Sequence, residues 1–191
     1  GLLYYYKPQI LLGLTATPER LDGKDILEYF DGRIASEMRL AEAIDRKLLS
    51  PFLYFGVSDT VDYSKVNWRG KYDVNQLENI YTADNKRASL ILNTIHKYVT
   101  DIDEVHGLGF CISIAHAEYM AKCFNDHGVP SIALSSKSVD DIRDDAKQDL
   151  VSGKIRFIFV VDLYNEGVDI PEVNTVLFLR PTESATVFLQ Q

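Results

Sequence analysis

Two stretches of the sequence carry residue types that could do chemistry. "ILLGLTATPER", residues 10 to 20, passes from an apolar run into Thr15, Ala16, Thr17 and Pro18. Ile10, Leu11, Leu12 and Leu14 predict a strand buried on both faces, as in parallel sheets, and Pro18 then stops regular pairing. Two hydroxyls thus stand at the carboxyl end of the strand, where open α/β sheets collect their ligands. The same hydroxyls could instead satisfy local backbone groups at a turn, and this stretch alone leaves both readings open.

The second stretch is "VVDLYNEGVDIPEV", residues 160 to 173. A strand ends at Val161, a loop follows, and Gly167 sits where backbone could approach a ligand closely. Asp169 adds a carboxylate at the same kind of sheet edge. An acidic loop after a strand is common, so its order relative to the first stretch matters more than its composition.

Several apparent motifs fail on context. "DEVH", Asp103 to His106, has the form of a magnesium-binding D-E-x-H box, but no apolar strand leads into it, and four residues without context are a weak signal. His116-x-Glu118 has half of a zinc-deaminase signature without the Pro-Cys-x-x-Cys partner. His96, His106 and His127 form no paired ligand spacing, so no metal site is expected. No Gly-x-x-x-x-Gly-Lys-Ser/Thr exists, because Gly23-Lys24, Gly70-Lys71 and Gly153-Lys154 are followed by Asp25, Tyr72 and Ile155. Trp68, beside Arg69, Gly70 and Lys71, could stack a base or pin its loop to the domain.

The elements that must position these groups follow from pattern. A short helix is expected around Ile26 to Phe30, a brief strand at "GRIAS" and an amphipathic helix over 37–48, ended by Pro51. "FLYFGV", 52–57, predicts a strand, and 58–82 reads as a polar segment with turn residues. Beyond it come helix 84–100, strand 109–114, helix 115–126, strand 131–134, helix 138–151, strand 156–161 and strand 175–180. Strands alternating with helices of this length predict an α/β fold with a parallel sheet. Asp140, Asp141, Asp144, Asp145 and Asp149 read as a solvated helix face.

The 191 residues are 46% hydrophobic and 25% charged, ordinary globular composition. The net charge of −8 excludes a generally basic coat but leaves room for a local nucleic-acid track. No apolar stretch has the length of a membrane span and no signal peptide opens the chain, so a cytoplasmic location is the default. Cys111 and Cys123 are expected to be reduced core residues.

Taken in order, "LTATP", "GFCIS" with "HAEYMAKCF", the "DDIR" helix, "EGVDIPEV" and the terminal "FLQQ" resemble successive motifs of superfamily 2 DEAD/DEAH-box helicases. Within that superfamily they resemble the type III restriction-enzyme-like and excision-repair-like motors. The resemblance implies two RecA-like domains, a cleft between them for ATP and magnesium, and DNA or RNA running across both. It implies that Thr15 and Thr17 couple nucleotide state to the nucleic-acid surface. It places Ser113 and Asp162 where the second domain meets the nucleic-acid backbone, so a local track is expected near Ser113, His116 and Asp162, and it turns Gly167, Asp169 and Gln190 toward the ATP cleft. Val161 and Glu166 depart from the threonine and arginine usual in the DEAD-box branch, which unsettles contacts transferred from that branch at these two positions.

On this reading residues 1–22 are the end of the first RecA-like domain, 23–50 a helical bridge, and 51–191 a second RecA-like domain cut within its last motif. The chain is expected to be part of a longer helicase or translocase, to hold no cofactor by itself and to hydrolyse no ATP alone. Its partners are DNA or RNA and the other domains of the same protein, with no membrane. A duplex translocase of a restriction-type complex and a non-enzymatic α/β interaction module with a dead cleft remain the alternatives.

Overall fold

The computed structural model describes Tyr5 and residues 8–15, 25–58, 61–67, 72–83, 85–161, 163 and 170–181. The chain groups into two compact units that part between Gly56 and Val57.

The later unit holds the sheet. Four strands, β1 (Gly107–Phe110), β2 (Ser131–Ser135), β3 (Phe157–Val161) and β4 (Thr175–Phe178), lie in the order β2-β3-β1-β4. All pairings are parallel, with Gly107 in register with both Phe157 and Thr175, and Ser131 with Phe157. Among the described residues the helices are α1 (Leu40–Asp45), α2 (Val74–Thr82), α3 (Lys86–Tyr98), α4 (Ile114–Asp126) and α5 (Asp140–Val151), with short 3-10 turns at Ile26–Phe30, Tyr63–Lys65 and Ile102–Glu104. The chain leaves β1 toward one edge of the sheet and returns through β3 to reach β4 on the other side of β1. This reversal marks the position where open α/β sheets bind ligands.

Both faces of the sheet are covered, which is why β3 is apolar throughout. Phe157, Phe159 and Val161 join Ala88, Leu92 and Ile95 of α3 and Ala117, Met120 and Phe124 of α4 in one core. Ile158 and Val160 point the other way, with Leu108, Phe110 and Leu134, onto Ala146 and Leu150 of α5. Glycine on β1 makes the first core possible: a Cβ at Gly107 would run into the Phe157 ring, and one at Gly109 into the Phe159 ring. These two rings stack 6.0 Å apart, and Phe124 meets each edge-on at about 5 Å.

A third, smaller core forms where only a polar loop is expected from sequence. Leu77 and Tyr81 of α2 bury against Val66, with Tyr63, Tyr72 and Ile112 around them. The helix starts at Asp73, whose carboxylate accepts from the amides of Asn75 and Gln76. Leu77 and Tyr81 lie four apart on one face. Short length and polar flanks hide this helix in the sequence.

The earlier unit departs from expectation at three strands. Residues 10–14, 32–36 and 52–57 form no strand, and Ile10, Leu14 and Phe52 are 87%, 89% and 66% exposed. An apolar run becomes a strand only when a neighbour pairs its backbone in a ladder, and the sheet formed by the described residues, β2-β3-β1-β4, includes none of these three runs. The helix expected over 37–48 is shorter for a local reason. Lys47 takes a left-handed φ of 60°, and the amides of Lys47 and Leu48 donate to the carbonyls of Ile44 and Ala43 at 2.9 Å, closing α1 in a Schellman motif.

Candidate functional site

The carboxyl end of β1 is the part of the expected site that the structure describes. β1 ends at Phe110, the Cys111 amide still donates to the Val160 carbonyl of β3 at 2.9 Å, and the chain turns through Ile112 and Ser113 into α4. Ser113 is the N-cap of this 13-residue helix, and its Oγ accepts from the His116 amide at 3.1 Å. That use occupies a lone pair and leaves the hydroxyl proton available for an acceptor. Ser113 is half-buried at the positive end of α4. Asp162, the residue after Val161, follows the neighbouring strand in sequence and lies outside the described residues.

His116 has no exposed surface. Its Nδ1 accepts from the Ile112 amide at 3.4 Å, which places the proton on Nε2. That atom is buried and meets no hydrogen-bond partner among the described residues. The ring lies 5.1 Å from the Tyr81 ring at a tilt of 46°. Burial, and secondarily the charge of Arg87, push its pKa down to about 3, so it is neutral at physiological pH. Its side chain therefore lies beneath the Ser113 loop and adds nothing to the exposed surface.

Two residues that sequence reasoning passed over complete the surroundings. The Arg87 guanidinium stacks 3.9 Å above the Tyr81 ring and donates through Nη2 to the Leu179 carbonyl, just beyond β4, at 3.3 Å. Tyr81 Oη lies 3.0 Å from Tyr63 Oη. Loop, α2, α3 and the end of β4 are thus joined around His116. Arg87 looks like any first-turn cation in the sequence, and only the packing of α2 reveals its partner. Nearby, Asn85 accepts from Tyr119 Oη at 2.8 Å and ties the start of α3 to α4.

Of the remaining expected site residues, Thr15 is exposed in the earlier compact unit. Thr17, Gly167, Asp169 and Gln190 lie outside the described residues, as do Trp68, Arg69, Gly70 and Lys71. The apparent D-E-x-H box has structural employment: Asp103 pairs with Arg156 at 3.5 Å, and His106 donates through Nδ1 to the Leu150 carbonyl at 2.7 Å. Among the described residues no three His, Cys, Asp or Glu side chains converge on a point that could hold a metal ion, and the sequence has no phosphate-cradling glycine loop. Among the described residues, too, no helix is long and apolar enough to cross a membrane.

An all-parallel sheet with a capped helix at its ligand edge fits many α/β proteins, and the match to known families narrows the class. The chain belongs to the helicase conserved C-terminal domain family, which matches residues 84–191. It is similar to a 51.5 kDa protein of Lactococcus phage (isolate 7-9), 27% identical over 98% of this chain and 40% of that one. IRC3 of Saccharomyces cerevisiae, a protein assigned as an ATP-dependent helicase, is 26% identical over 94% of this chain and 26% of its own length. The Hef helicase domain of Pyrococcus furiosus is 16% identical over 61% of this chain and 22% of its own, with a TM-score of 0.43. The chain spans less than half the length of these relatives.

Proposed function

We propose that this chain is the second RecA-like domain of an ATP-dependent helicase or translocase, with the end of the first domain and a bridge preceding it. Its part in that motor is to hold the backbone of DNA or RNA at the carboxyl edge of the sheet and to complete the ATP cleft. Family membership supports the class. The observation that carries the site is Ser113, whose hydroxyl caps α4 at the sheet reversal and keeps a proton to donate. A phosphate oxygen is the acceptor such a position suits, since helix N-termini attract anions through first-turn amides and the macrodipole.

Asp162, by its place after β3, would border the same track. Gly167, Asp169 and Gln190 would face the nucleotide, and Thr15 and Thr17 would relay between the two. ATP and magnesium belong to the assembled motor, where the nucleotide would supply the driving hydrolysis. The net charge of −8 makes contact through a local track, not a basic coat, the workable mode.

Titration of labelled single-stranded DNA and RNA against this chain at two salt concentrations tests the reading. Weak binding that falls steeply with salt, and falls further in Ser113→Ala, is expected. Tight binding indifferent to salt, or to Ser113→Ala, overturns it.

A further inference from the structure

His116 ties both ends of the turn that carries Ser113. Its amide donates to Ser113 Oγ and so selects the serine rotamer, while its ring accepts from the Ile112 amide and so orients the preceding peptide. In an ordinary capping box a Glu or Gln at this helix position reaches back to the cap residue's own amide. Here a histidine reaches one residue further, and Tyr81 covers it. The rest of the ring does no polar work among the described residues: Nε2 is buried and meets no partner there. A residue needed only for packing would carry no such unpaired donor, so the ring's distinctive service is the acceptor at Nδ1.

We propose that His116 is a positioning residue that touches no nucleic acid itself and holds Ile112 and Ser113 so that the serine hydroxyl is presented to the nucleic-acid backbone. The proposal rests on the reading of the Ser113 loop as a nucleic-acid edge. It also joins that loop to distant parts of the fold, because Tyr81, which backs the ring, carries the Arg87 guanidinium bonded to Leu179 beyond β4. A shift of α2 or of the end of β4 would reach Ser113 through His116.

The test uses His116→Leu and His116→Asn in the intact protein that carries this chain. The two replacements are alike in size and branching, but only Asn offers an oxygen where Nδ1 stands. Leu is the better buried residue, so a packing role ranks Leu above Asn, whereas a positioning role ranks Asn above Leu. Amide exchange at Ile112, affinity for labelled oligodeoxythymidylate and oligouridylate, and melting temperature are measured together. His116→Leu is expected to melt at least as high as His116→Asn, to exchange faster at Ile112 and to bind the oligonucleotides about tenfold more weakly, the worth of one hydrogen bond. His116→Asn is expected to retain both slow exchange and affinity. On a Ser113→Ala background His116→Leu should cost little more, since it acts through the serine.

Equal behaviour of the two variants, or affinity that follows melting temperature, overturns the proposal. So does unchanged Ile112 exchange in His116→Leu. If the unmodified protein binds neither oligonucleotide, the nucleic-acid reading fails and the proposal with it. The exchange data then distinguish that failure from a His116 that never ordered the loop.

Discussion

Gly107 on β1 stands in register with Phe157 on β3, and the aromatic ring lies in the space a side chain at Gly107 would take. Gly109 and Phe159 repeat the arrangement one step along. The sheet therefore depends on missing atoms on one strand as much as on apolar atoms on the next. Gly107→Ala and Gly109→Ala are each expected to destabilise the later unit by about 1–3 kcal/mol through overpacking. Urea denaturation checks this, and Phe159→Leu should recover part of the loss in Gly109→Ala but none in Gly107→Ala.

The buried His116 makes stability fall in acid. Its folded pKa of about 3 lies below the ordinary 6.5, so between these values the unfolded chain binds the extra proton. Stability due to this group is complete above about pH 6.5 and declines as pH drops toward 3, with a slope of at most about 1.4 kcal/mol per pH unit. Carboxylates titrate in the lower part of the same window. The expected signature is thus a difference: His116→Leu should lose less stability than the unmodified chain between neutral pH and about pH 5, measured from urea midpoints.

Cys111 and Cys123 are free and buried. Burial raises the Cys111 thiol well above its usual range, against the opposing charges of Arg87 and Arg180. Neither thiol should react with a disulfide reagent in the folded protein at neutral pH, and both should react once it is denatured. Fast modification of one thiol under native conditions would contradict the packing described around α4.

The isolated chain should hydrolyse no ATP above a buffer blank, because it lacks a phosphate cradle in its sequence. In the intact protein, Thr15→Ala with Thr17→Ala should leave ATP and nucleic-acid binding measurable separately while abolishing the stimulation of ATP hydrolysis by nucleic acid. Coupling free energy is reciprocal, so each ligand should also cease to tighten the other. A double variant that melts earlier yet stays fully coupled would return these threonines to a turn-closing role.

Much of the later unit was legible because its signals are local and repeated. "RFIFVV" stands as an apolar, β-branched and aromatic run in an alternation of strands and helices, and α4 repeats its apolar positions at intervals of three and four. The helix at Val74–Thr82 was not legible, since its buried face amounts to Leu77 and Tyr81. The site divided in the same way. Ser113 was singled out through the motif "GFCIS", whereas its capping of α4 and the burial of His116 against Tyr81, 35 positions earlier in the chain, come from the packing.

Residue pattern by itself determined the α/β class, the order of strands and helices from residue 86 onward, and the succession of motifs that matches the helicase C-terminal family. Backbone propensity, apolar periodicity and capping act over a few residues, so they are written into any short window. Which strands are neighbours, which helix face meets the sheet, and which side of a loop is open are set by contacts between distant segments. Only the tertiary structure could place β4 beside β1, seat Phe157 and Phe159 over two glycines, and bury His116 against Tyr81. The apolar runs at 10–14 and 52–57 show the converse: strand-like composition becomes a strand only when another backbone supplies its hydrogen bonds.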